Sequence, residues 1–214
     1  MYFYKKDVVY ARYSDDIILF AKDEGSRNNY REIMLNMLNK FNLKINSTKE
    51  FCINPNEKWE FLGISYFSKS IDVSDIAIKK MKGKIRRKAN ALFRWKKRKN
   101  ATDERAMKAM IRAFNDKFFD KYDDKSVNLT WSRWYFPVIN VNIGLKIIDD
   151  YLQRYIRFIS SGKHCKKNYK ISYDKLKEMG YKSLVNEYYK HKKQKSIEKC
   201  DIEKEILIKP INSV

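Results

Sequence analysis

Val8-Val9-Tyr10-Ala11-Arg12-Tyr13-Ser14-Asp15-Asp16-Ile17-Ile18-Leu19-Phe20-Ala21 is the stretch on which the reading of this chain turns. Val8 to Tyr13 and Ile17 to Ala21 are short runs rich in β-branched and aromatic residues. Only Ser14-Asp15-Asp16 separates them, which reads as a β-hairpin with a polar tip. Two adjacent carboxylates on a tight turn repel each other and gain nothing structurally as neighbours. A divalent cation changes the sign of that balance, since Mg²⁺ takes hard oxygen ligands, usually one or two carboxylates plus substrate phosphates. A rigid strand junction suits such a site, because catalytic metals tolerate little misplacement. The plainer alternative is a solvated acidic tip. Tyr122-Asp123-Asp124 serves as an internal control. It also pairs two acids, but it comes after a helical pattern and precedes Lys125-Ser126 with no apolar strand beyond, so it reads as a polar loop.

Downstream of the hairpin, Ile33, Met34, Met37, Leu38 and Phe41 mark one face of a helix from about Ser26 to Phe41. Residues 43–53 and 59–67 read as strands joined by an Asn54-Pro55-Asn56 turn. The composition then shifts. Ser74 is an N-cap for a helix carrying Ile78, Met81, Ile85, Ala89 and Leu92 to about Arg98. A second helix after Thr102 carries Met107, Met110, Ile111, Phe114 and Phe118. Residues 128–140 form an aromatic loop, whose Trp131, Trp134, Tyr135 and Phe136 either pack into a core or stack bases. A third helix carries Leu145, Ile148, Leu152, Tyr155, Ile156 and Ile159 and stops at Gly162, where glycine supplies a left-handed cap. Shorter helices from Tyr173 to Met179 and from Ser183 to about Lys193 are split by Gly180, and a charged tail runs on from Lys195. The fold class is therefore α+β. A hairpin–helix–hairpin segment spans residues 1–73, a helical segment 74–194 and a tail 195–214.

Lys and Arg outnumber Asp and Glu 47 to 26, a formal charge of +21 that points to a polyanionic partner. Between Lys79 and Lys99 there are twelve Lys or Arg and no acid. On a helix with an apolar face, this places cations over the remaining surface, suited to phosphates rather than base edges. Solvated helix faces usually mix both signs. The candidate contacts are Lys79, Lys80, Lys82, Lys84, Arg86, Arg87, Lys88, Arg94, Lys96, Lys97 and Arg98. Cys52, Cys165 and Cys200 are scattered, which fits a reducing compartment and no zinc site. His164 beside Cys165 reads as a loop residue. No run of eighteen apolar residues occurs, so we expect no membrane association and a cytoplasmic location.

The hairpin VVYARYSDDIILFA resembles the catalytic strand–turn–strand of prokaryotic reverse transcriptases related to those of group II introns. Beyond the hairpin the chain keeps that family's order. Leu43-Lys44-Ile45-Asn46-Ser47-Thr48-Lys49 resembles the next motif of its palm, with Glu50 where the family often has threonine. Phe61-Leu62-Gly63 resembles the hairpin that grips the primer end, and glycine within a strand allows close approach of another backbone. Residues 168–189 are similar to the C-terminal regions of these enzymes. The resemblance implies a partial palm and then a basic helical thumb, acting in RNA-directed DNA synthesis by two-metal nucleotidyl transfer. It implies Asp15 and Asp16 as Mg²⁺ ligands, Lys49 as the acid that protonates departing pyrophosphate, and Tyr13 and Ser14 near the primer end. Partners would be an RNA template with a DNA primer, or an RNA–DNA duplex, together with a deoxynucleoside triphosphate.

A further carboxylate, the fingers and a template-gripping segment precede this hairpin in the family. Asp7 is too near the hairpin to replace that carboxylate, and Asp72 and Asp75 come after it, in the wrong order. One hairpin and one helix also leave an open, apolar sheet edge. We therefore expect an N-terminal polymerase segment or partner chain to complete the metal site, and no activity without it. The rival readings are a non-catalytic nucleic-acid-binding module and a degenerate mobile-element remnant.

Overall fold

The computed structural model describes Phe3 and residues 8–119 and 130–208, with side chains described as far as Ile197. Asp7, the control loop Tyr122-Asp123-Asp124, the first part of the aromatic loop and the end of the tail lie outside the described residues. The chain is α+β, mostly helical with two small antiparallel sheets, and divides into two compact units, residues 1–62 and 63–214.

In the first unit, β1 (Tyr10–Tyr13) pairs antiparallel with β2 (Asp16–Leu19), in the register Tyr10↔Leu19, Ala11↔Ile18, Arg12↔Ile17 and Tyr13↔Asp16. The expected hairpin is present. Helix α1 (Glu24–Asn39) begins earlier than its apolar face suggested. The Asp23 carboxylate caps it, accepting from Ser26 N at 2.7 Å and Ser26 Oγ at 2.9 Å, and those bonds hold the Asp23 carboxyl below its ordinary value. Left-handed Asn42 lies just beyond its end. The expected strand over 43–53 does not form. Asn46 instead accepts from Thr48 N and Thr48 Oγ1 and nucleates a 3₁₀ turn, Ser47–Lys49. Local side-chain bonding by Asn thus outcompetes the strand pattern. The Asn54 turn is present, with Glu57 N donating to Asn54 O. The strand expected over 59–67 is broken, because Leu62 and Gly63 both have positive φ (50° and 82°). Only β3 (Trp59–Phe61) remains in this unit.

The second unit opens with the hairpin β4 (Ile64–Phe67) and β5 (Ser70–Val73), paired Ile64↔Val73 to Phe67↔Ser70. Ser68 and Lys69 turn it, both left-handed as a two-residue primed turn requires. Val73 is buried in the helical core, and β5 packs on α5 (Ile143–Ser161). The compact division therefore falls at Leu62/Gly63 rather than at the shift in composition near residue 73. Ser74 caps α2 (Asp75–Lys99), which buries Ile78, Met81, Ile85 and Ala89 and stops at left-handed Asn100. Thr102 caps α3 (Asp103–Phe118), which buries Met107, Met110, Ile111, Phe114 and Phe118.

The short α4 (Trp131–Tyr135) sends Tyr135 inward, and Phe136 and Ile139 are buried after it. Trp131 lies between Phe118 and Tyr135, with ring centroids at 5.7 and 4.6 Å. Of the two readings of the aromatic loop, core packing is the one observed. Helix α5 is the hub. It packs against α2, α3 and α7 (Leu184–Ile208), with Leu145, Ile148, Leu152, Ile156 and Ile159 fully buried. Gly162 caps it in the left-handed conformation, as its sequence position suggested. Helix α6 (Tyr173–Glu178) is separated from α7 by Gly180 at φ 92°. Helix α7 runs well past the expected end near Lys193, since no glycine or proline interrupts it before Pro210.

Candidate metal site and nucleic-acid surface

The site in the first unit is built by a two-residue turn. Tyr13 and Asp16 are the final cross-strand pair, Ser14 and Asp15 connect them, and Ser14 has φ 57°. Arg12 Nε donates to the Ser14 carbonyl at 2.8 Å and braces the turn. Asp15 and Asp16 are both exposed. Among the described residues, neither carboxylate has a hydrogen-bond or ion-pair partner. No third His, Cys, Asp or Glu joins them in a metal-holding group among the described residues. Two hard, uncompensated oxygen donors fit the protein's share of a Mg²⁺ site, where substrate phosphates supply much of the rest.

Lys49 lies on the 3₁₀ turn rather than on a strand, exposed and without an acidic partner among the described residues. Its neighbour Glu50 has a structural task. Its carboxylate takes a bidentate ion pair from Arg31 of α1, the second contact at 3.0 Å. That pair holds the Glu50 carboxyl below its ordinary value and ties the irregular segment to the helix. A threonine could not do this.

Phe61 ends β3, and Leu62 and Gly63 form a turn rather than the interior of a strand. The Gly63 carbonyl accepts from the Ser74 backbone N–H at 2.8 Å, and the atoms facing its missing side chain belong to side chains. A Cβ there would lie 2.8 Å from Tyr135 Oη. Asp72 is likewise occupied structurally, accepting from Val73 N at 2.7 Å and from Gly144 N at 2.9 Å, which caps α5.

The apolar surface of the first unit is largely uncovered. Among the described residues, α1 buries none of its own, β1 pairs only with β2, and Phe41 and Phe51 are 76% and 78% exposed. Such a surface asks for another element to cover it.

In the second unit, α2 presents its cations as expected, with one exception. Lys96 is only 11% exposed at its side chain. It donates to Asp103 Oδ1 at 2.6 Å and to the carbonyls of Ile159 and Ser160 at 2.8 Å each. An ammonium has three donors, and all three are used. Lys96 therefore pins the C-terminus of α5 and is unavailable to phosphate. The other eleven Lys and Arg of that stretch have no carboxylate partner among the described residues. Lys82 carries a further contact, its Nζ lying 5.5 Å from the ring centroid of Tyr151 on α5. Tyr151 is absent from the sequence-based set.

His164 packs against Tyr155 and Phe158, and Cys165 donates to Asn168. Tyr188 is core, donating to the Ile139 carbonyl, whereas Tyr189 is exposed. Among the described residues no helix is long and apolar enough to cross a membrane. No protein-family model matches the chain, and no curated protein matches it significantly.

Proposed function

We propose that the chain is the palm end and thumb of an RNA-directed DNA polymerase, acting with an N-terminal polymerase segment or partner chain. One observation carries this reading: Tyr13-Ser14-Asp15-Asp16 occupies the tip of a tight hairpin, with both carboxylates exposed and, among the described residues, without a partner. A helix or a buried position there would have ended it. When bound at Asp15 and Asp16, Mg²⁺ supplies the Lewis acidity that activates the primer 3′-oxygen and stabilises the leaving pyrophosphate. The residues themselves position. Asp15 and Asp16 hold the ions, the Arg12-braced turn fixes those two carboxylates, and Lys49 offers a proton to the departing group from the end of its flexible stem. The cations of α2 hold the template–primer backbone. The uncovered apolar surface of the first unit supports a covering segment that also brings the remaining carboxylate.

The test has two arms. Mn²⁺ added to the chain should broaden the amide resonances of Ser14, Asp15 and Asp16, and Asp15→Ala with Asp16→Ala should abolish that broadening. Primer extension on RNA with Mg²⁺ should require the upstream polymerase segment and should vanish with Asp15→Ala. Activity unchanged by that substitution would favour a second reading, a non-catalytic nucleic-acid-binding module. One observation favours it: eleven of the twelve cations from Lys79 to Lys99 have no carboxylate partner among the described residues, whatever Asp15 and Asp16 do.

A further inference from the structure

We infer that Tyr151, Arg154 and Tyr155 of α5, together with Lys82 and Arg86 of α2, form a subsite for the sugar–phosphate backbone of a nucleic-acid strand. The inference deepens the nucleic-acid part of the proposed function and is independent of the carboxylate tip. Tyr151, Arg154 and Tyr155 stand at i, i+3 and i+4, so one turn of α5 presents all three on one face. Lys82 Nζ lies 5.5 Å and Arg154 Cζ 5.3 Å from the centroid of the same Tyr151 ring. The Tyr155 ring is next, at 4.7 Å. Burial and the neighbouring Tyr155 phenol push the Tyr151 hydroxyl up to about 12, against the opposing pull of Arg86 and Arg154. Both guanidinium groups therefore act on that hydroxyl.

Lys82, Arg86 and Arg154 have no carboxylate partner among the described residues. Three cations around one phenol repel one another, and a bound anion relieves that repulsion. The two rings are half-buried, and Arg86 and Arg154 are exposed. The arrangement is thus an open surface rather than an enclosed pocket for a small anion. It continues along the same face of α2 to Lys79, which lies one turn before Lys82 and has no carboxylate partner among the described residues, as a repeating polyanion requires. Aromatic rings interleaved with cations also match the way a single strand is held, with sugars or bases on the rings and phosphates on the charges.

The experiment uses the full chain with fluorescein-labelled oligouridylate and, separately, an RNA–DNA heteroduplex, each titrated by anisotropy across a salt series. The Arg86→Gln/Arg154→Gln double variant should bind about tenfold more weakly. Its plot of log K against log salt should flatten by roughly 1.5 units, as expected for two lost phosphate contacts. Tyr151→Phe keeps the packing and should change affinity less than the double variant. Lys108→Gln, a cation already paired with Glu104, should leave affinity within about twofold. The two oligonucleotides show which strand form is preferred. The inference is overturned if the double variant keeps wild-type affinity and slope, or if the chain binds anionic vesicles and neither oligonucleotide. Mn²⁺ broadening at Ser14 to Asp16 reports on the catalytic reading alone, so the two can fail separately.

Discussion

Tyr13 and Asp16 face each other as the last pair of the β1–β2 hairpin, and Ser14 and Asp15 are the whole of the connection between them. So short a turn leaves the adjacent acids no room to move apart along the chain. It also forces Ser14 into the left-handed region, at φ 57°, a conformation that disfavours an L-residue by about 1–2 kcal/mol.

Replacing Ser14 with glycine should therefore stabilise the hairpin, by about 1 kcal/mol once the extra freedom of the unfolded glycine is counted. The readout is hydrogen exchange at the Phe20 amide, which donates to the Val9 carbonyl at 2.9 Å. Protection should rise about fivefold. Ser14→Val should move it the other way, because a β-branched residue tolerates positive φ poorly.

Lys96 provides a test of structural against electrostatic roles. Lys96→Met strands the Ile159 and Ser160 carbonyls and leaves the exposed Asp103 carboxylate to solvent. It should destabilise the helical unit by about 2 kcal/mol or more in urea unfolding. Affinity for an RNA–DNA heteroduplex should fall less than in Arg94→Gln, whose guanidinium is exposed and has no acidic partner among the described residues. A larger affinity loss for Lys96→Met, with unchanged stability, would return Lys96 to the phosphate-binding set.

The difference between those two cations shows what the sequence could and could not convey. The helices were legible, because Ile78, Met81, Ile85 and Ala89 repeat at helical spacing and Ser74 and Thr102 are efficient caps. The hairpin at Ser14 was legible for the same local reasons. Residues 43–53 were not, since their alternating apolar pattern matched a strand while Asn46 bonded its own backbone into a 3₁₀ turn. Tertiary partners were invisible. Nothing in the α2 sequence separates Lys96 from Lys97, and nothing near Tyr151 announces that Lys82 and Arg86 lie across from it. Only the i, i+3, i+4 spacing of Tyr151, Arg154 and Tyr155 could have flagged that face.

Gly63 should be intolerant of a side chain for two separable reasons, its φ of 82° and the Tyr135 hydroxyl 2.8 Å from where a Cβ would sit. Gly63→Ala should destabilise by about 2 kcal/mol. In a Tyr135→Phe background the loss should shrink, because the nearest atom is gone, and the remainder measures the backbone strain. A double-mutant cycle in chemical denaturation separates the two. Full additivity would mean that the Tyr135 contact plays no part.

Asp149 joins α5 to α7 from a position only 4% exposed. Its carboxylate accepts from Tyr181 Oη at 2.8 Å, Ser183 Oγ at 2.6 Å, Leu184 N at 2.9 Å and Val185 N at 3.1 Å, and so caps α7 from a neighbouring helix. Asp149→Asn turns two acceptor lone-pair sites into donors facing donors, and should destabilise by about 2–4 kcal/mol. Burial pushes the Asp149 carboxyl above its ordinary 3.8, only partly opposed by those four bonds. A carboxyl raised on folding favours the native state while protonated, and that contribution is lost as pH rises through the folded-state value. The asparagine variant lacks the titration. The stability gap between wild type and Asp149→Asn should therefore be largest below pH 3.8 and narrow as pH rises, measured by urea unfolding across the acid range. A gap that widens with pH would mean that the four donors outweigh burial and hold the group as a carboxylate.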